Sequence, residues 1–196
     1  MVKGRALLLT VTAMLLAGSL VFGASSSSDN FKVTYFNAAN TSGVSDDATI
    51  RVTNPGNSGV TDWVLIYVFD STEELQECCG CSLSVNDLRT ISVNNNLTAN
   101  TLTGVFPTQG PIFFIADSQG NPGAVSSSNL VTGGIRVWAT QLNQPAPSAP
   151  STISVNEAET LDATLSTSEI SSLATQCGDI LAYGSGYGEC SCGSGE

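Results

Sequence analysis

Six cysteines in two clusters constrain this chain more than any other feature. Cys78-Cys79-Gly80-Cys81 lies mid-chain, and Cys177, Cys190 and Cys192 lie near the carboxy terminus. Whether such thiols pair or hold metal depends on the compartment they reach. The amino terminus speaks to that. Lys3 and Arg5 precede an apolar run from Ala6 to Phe22, and small residues follow at Gly23, Ala24 and Ser25. This is the three-part layout of a cleavable secretory signal, read here as residues 1–24, and the run is shorter than the ~20 residues that span a bilayer. The expectation is a protein secreted to the exterior or the periplasm, with no membrane attachment after cleavage.

In an oxidising compartment an even cysteine count predicts disulfides among Cys78, Cys79, Cys81, Cys177, Cys190 and Cys192. Six cysteines allow fifteen pairings, and a bridge between the adjacent Cys78 and Cys79 is strained. The remaining pairings stay open. The expectation is that at least two bridges run between the clusters, since closing a loop of about 100 residues is worth roughly 4 to 5 kcal/mol in the chain-entropy model. CCxC and CxC spacings also occur in zinc or copper thiolate clusters, but no histidine exists to join them and exported thiols are oxidised first. A Cys-x-x-Cys redox pair, Cys78 with Cys81, lies outside the strand-to-helix context such a motif needs. The sequence therefore predicts no metal site and no cofactor.

After the signal, short segments rich in Val, Ile, Thr, Phe and Tyr are separated by turn residues, the pattern of an all-β domain. Strands are predicted at Phe31 to Phe36, Thr49 to Thr53, Trp63 to Phe69, Thr90 to Val93, Thr101 to Phe106, Pro111 to Ala116 and Gly134 to Leu142. Trp63 to Phe69 is apolar on both faces, so it belongs centrally in a sheet covered on both sides, with Trp63 in the core. Ser71 to Cys81 fits either a helix or a returning strand. The number of strands predicts an immunoglobulin-like β-sandwich over residues 25–143, with a barrel as the alternative. A Pro/Ser/Thr-rich linker follows at 144–165, extended rather than packed. Residues 166–196 then form a cysteine-containing tail. Its helix starts at Ser166, with Glu169 closing a capping box and Leu165 and Ile170 a hydrophobic staple, and stops at Gly184. Ile170, Leu173, Ala174, Cys177, Ile180 and Leu181 form one apolar face that needs a cover.

The absence of histidine removes the commonest general base and excludes serine–histidine hydrolases, cysteine–histidine proteases and HExxH metalloproteases. No catalytic residue is therefore predicted. A carboxylate-pair glycosidase would have to draw on Asp62, Asp70, Glu73 and Glu74. Asp46-Asp47 and the loop Asp117 to Asn121 are oxygen-rich, yet neither has EF-hand spacing, and solvated turns are the better reading. Beyond the signal only Lys32, Arg51, Arg89 and Arg136 stand against 17 acids, a net charge of −13. Nucleic acid and anionic lipid are repelled by such a surface. If Ile135, Val137 and Ala139 face the core, alternation turns Arg136, Trp138 and Thr140 outward. Trp138 with Arg136 is thus a candidate binding platform for sugar rings or a protein partner, unless the tail helix covers it.

Ala48 to Pro55, Ile66-Tyr67-Val68-Phe69-Asp70, Cys78-Cys79-Gly80-Cys81 and Leu88 to Gly104, together with the Cys177 to Cys192 tail, resemble a family of exported bacterial proteins to which no activity attaches. The resemblance implies a secreted, β-rich fold with paired cysteine clusters and carries over no chemistry. Two functions follow as expectations. One is a non-enzymatic structural or interaction protein of the cell surface or exterior, self-associating through sheet edges or binding an extracellular polymer. The other is a carbohydrate-binding or carbohydrate-processing module.

Overall fold

A computed structural model describes residues 30–37, 47–143 and 154–195. The signal region, 1–24, and the proline-rich stretch, 144–151, lie outside the described residues. The strands are β1 (Phe31–Asn37), β2 (Thr49–Thr53), β3 (Asp62–Phe69), β4 (Leu75–Leu83), β5 (Leu88–Ser92), β6 (Gln109–Asp117), β7 (Arg136–Asn143), β8 (Ser154–Glu159) and β9 (Ser194–Gly195). Among the described residues a single α-helix, α1, spans Thr167–Tyr183. The fold is mainly β, with two antiparallel sheets ordered β1-β6-β3-β4 and β8-β7-β2-β5-β9 and the helix tied by a disulfide to the strand region.

The doubly apolar strand explains the layering. Successive side chains of β3 point to opposite faces. Val64, Ile66 and Val68 enter the core between the sheets with Ile50, Val52 and Val137. Leu65, Tyr67 and Phe69 join Ile170, Leu173 and Ile180 of α1 in a second core. Both faces are covered, as the sequence predicts for a central strand, and each fully buried aliphatic contributes about 1.5–3 kcal/mol. Trp63 is a correction: it is half-buried at the rim, beneath the backbone of Gly120, rather than inside the core.

The helix begins and ends where its signals lie. Ser166 Oγ accepts from the Glu169 amide at 3.2 Å, and the Glu169 carboxylate accepts from the Ser166 amide at 2.7 Å. Gly184, at φ 59°, closes the far end by donating to Leu181 O. Residues 71–81, open between helix and strand, resolve as the β3–β4 hairpin and β4. Asp70 Oδ1 accepts from the amides of Thr72 and Glu74 and so turns the chain before a helix can start.

Two predictions along the chain fail. Thr101 to Phe106 is not a strand: apart from Leu102 N–H donating to Gln76 O, it curls into a turn at Gly104 and leaves Leu102, Val105 and Phe106 exposed. The span 144–165 is not all linker, because 154–159 forms β8 and pairs along β7. Its alternation is polar, not apolar. Ion pairs from Arg51 of β2 to Glu157 and from Arg136 of β7 to Glu159 tie it to the sheet at 2.9 and 3.2 Å.

Candidate functional site

The three disulfides are Cys78–Cys177, Cys79–Cys190 and Cys81–Cys192. Every bridge joins one cluster to the other, in line with the expectation of at least two. Strand alternation sorts them: Cys78 faces α1, while Cys79 and Cys81 share the opposite face and meet the two cysteines of Cys190-Ser191-Cys192 at the same spacing. The tail therefore runs parallel to β4, with Cys78 N–H donating to Gly188 O and Cys190 N–H to Cys78 O. It continues as β9 onto β5 and so joins the edges of both sheets. Gly80 faces the α1 side, where an added Cβ would lie 2.2 Å from Gly120 O, which is why glycine separates the cysteines. All six sulfurs are in bridges, so none remains as a thiolate ligand.

Of the four candidate carboxylates, Asp62 stands apart, while Asp70, Glu73 and Glu74 share the β3–β4 hairpin. Asp62 and Asp70 stand at opposite ends of β3, about 25 Å apart at ~3.3 Å per residue, where a glycosidase pair needs roughly 5–9.5 Å. Asp62 is buried and its pKa is raised by that burial despite a bond from Ser58 Oγ. Burial also works to raise Asp70, but hydrogen bonds from Thr72, Glu74 and Gln76 hold it below the usual range. Glu73 and Glu74 are exposed on the hairpin. The oxygen-rich loops are likewise engaged in turns. Asp117 Oδ1 accepts from the amides of Gln119 and Gly120, and Asp47 accepts from Ser92 Oγ and Asn94 N–H beside a π-helical turn at Val93–Leu97. Asp46 lies outside the described residues.

One carboxyl that sequence reasoning missed is Glu77. It is fully buried beside the cysteines, in a run whose charge looks like an exposed helix. Its Oε1 accepts from Asn100 N–H at 2.7 Å and its Oε2 has no partner, and burial pushes its pKa up to about 7. Asn100 also holds the tail, through Gly186 O, Glu189 O and the Gly188 amide.

Trp138 lies where alternation predicts, on the outer face of the five-stranded sheet, with Ile135, Val137 and Ala139 buried beneath. It is half-buried. The helix does not cover it, because α1 packs on the outer face of the other sheet. Arg51 stands opposite Trp138 on β2 and Glu159 opposite it on β8. Arg51 Nη1 also donates to Thr140 Oγ1 at 3.1 Å, and Arg136 pairs with Glu159, so two ion pairs frame the indole. On the same face, Thr49, Thr90, Ser92, Asn96 and Ser191 line an open hollow of about 450 Å³.

No protein-family model matches the chain, and no curated protein matches it. A solved structure described as the crystal structure of Thermotoga maritima 1070 is similar at 7% identity, covering 67% of this chain and 91% of that one, with a TM-score of 0.42. A likeness this weak carries no argument about function.

Proposed function

We propose that this is a non-enzymatic interaction protein of the cell surface or exterior that associates with copies of itself through the edge strand β8. The observation that carries this is the inequality of the two sides of the molecule. One side is sealed: the tail is bridged to β4 and β9 extends β5. On the other side Asn156 to Glu159 are all exposed, and among the described residues nothing pairs with the outer edge of β8. Charged side chains commonly guard such an edge. Here Glu157 and Glu159 are neutralised by Arg51 and Arg136. Export is supported by the three bridges and the signal-like amino terminus, and no helix among the described residues is long and apolar enough to cross a membrane. Two antiparallel sheets facing each other across one core support the immunoglobulin-like reading of the fold. Sedimentation of the oxidised protein tests the proposal. Concentration-dependent assembly, abolished by Glu157→Pro, at a residue whose amide points away from β7, with the thermal midpoint nearly retained, is the expected result; a monomer throughout rejects it.

A second reading, carbohydrate binding, is favoured by the uncovered Trp138 and the hydroxyl-lined hollow on the same face. Aromatic faces stack on sugar rings, and neighbouring hydroxyls and charged groups complete the recognition. The probe is a glycan array with Trp138→Ala as its control.

A further inference from the structure

A groove on the opposite face of the molecule is left over by both readings. The helix stripe Glu169, Leu173, Gln176, Ile180 and Tyr183 runs alongside the β3–β4 hairpin. Between them lie two hollows of about 450 and 270 Å³, which adjoin at Gln176. Their walls include Phe69, Phe113 and Leu173 in the first and Leu75, Leu102 and Ile180 in the second. Glu73, Glu74 and Asp179 stand exposed around this apolar floor, and neither hollow is lined by a lysine or arginine.

We propose that this groove docks a segment of another protein in which lysine or arginine alternates with apolar residues. An apolar floor rewards buried aliphatic side chains, and a rim of one sign selects the opposite sign and repels nucleic acid or anionic lipid. A second copy of this chain does not supply the cations. Lys32 pairs with Asp162 at 2.6 Å, Arg51 with Glu157 and Arg136 with Glu159, and Arg89 Nε donates to Ser82 O at 2.8 Å. All four basic residues beyond the signal are engaged within their own fold, so the occupant is a different protein. From Glu169 to Tyr183 the helix rises about 21 Å, a length spanned by about six residues of extended chain.

The surface is independent of the β8 edge and of Trp138, so failure here leaves those readings standing. The test titrates the oxidised protein with a blocked hexapeptide alternating Lys and Leu, and with its Glu/Leu counterpart, by calorimetry and amide shift mapping. The Lys/Leu peptide is expected to bind at low salt, to shift amides of residues 72–75 and 169–183, and to weaken as salt is added. Glu74→Lys combined with Asp179→Lys is expected to cost about tenfold or more in affinity. Both side chains are exposed, so the thermal midpoint should hold and reports on folding. The proposal is overturned if neither peptide binds, if Glu/Leu binds as well, if the double variant binds undiminished, or if the shifts fall on the Trp138 face.

Discussion

Cys78 and Cys79 are adjacent in the chain, yet their sulfurs leave β4 by opposite faces, the first to Cys177 on α1 and the second to Cys190 in the tail. One dipeptide thus anchors two separate layers. The geometry also disposes of the vicinal bridge, since neighbouring strand side chains point apart.

The two anchors should fail separately. Replacing Cys78 and Cys177 together by alanine is expected to cost about 2–5 kcal/mol, with amides of α1 losing hydrogen-exchange protection before those of β3 and β6. Replacing Cys81 and Cys192 should instead expose the β9–β5 pairing while α1 stays protected. Simultaneous loss of both regions in either variant would contradict the layered picture.

Gly80 has no room for a side chain, because the obstacle is the backbone of Gly120. Gly80→Ala is therefore expected to cost about 2–4 kcal/mol by overpacking. Gly104→Ala makes the comparison: its φ is +70°, but an added Cβ there meets open space, and about 1–2 kcal/mol is expected. Chemical denaturation of the two variants should rank them in that order.

Glu77 sets a pH dependence opposite to that of an ion-paired acid. Its pKa rises from 4.5 in the unfolded chain to about 7 in the fold, so between those values the folded state holds a proton that the unfolded chain has released. Its contribution is complete below about pH 4.5 and is lost as pH rises through about 7, at most about 3 kcal/mol. Asp62 shifts in the same sense, while Asp70 and Glu169 are held low and act only in acid. Glu77→Gln keeps the acceptor for Asn100 N–H and carries no charge. Denaturation midpoints taken across this window should fall with pH in the parent protein and stay nearly level in the variant.

Trp138→Ala should leave the core intact, since its inward neighbours Val137 and Ala139 are untouched. A thermal midpoint lowered by no more than a few degrees is expected, corresponding to about 1 kcal/mol. Array signals from extracellular polysaccharides that survive this substitution would remove the indole from any binding site.

Much of the architecture is legible in the residues because burial leaves a period. The two-faced apolar run of β3, the alternation around Val137 and the capped amphipathic helix each carry that signal, and each lies where it was expected. The strand β8 carried none: an edge strand held by Arg–Glu pairs has no apolar face to display. The Thr101 to Phe106 segment misled in the other direction, showing apolar residues that remain in solvent. Glu77 was invisible because nothing in a run of glutamates says which one the tail will bury. The cysteine pairing was open among several arrangements, since it depends on the tail running parallel to β4, a relation between segments about 100 residues apart in sequence.

The bridges also decide how this protein responds to being pulled. Tension entering along β1, β2 and β3 reaches Cys78 and Cys79 and crosses there by covalent bonds to the helix and tail. Strands β5 to β8 hang outside that load path as a slack loop. A pull along the chain therefore peels β1, β2 and β3 from β6, β5 and β7, while the 99-residue span from Cys78 to Cys177 adds nothing to its extension as long as the bridges hold.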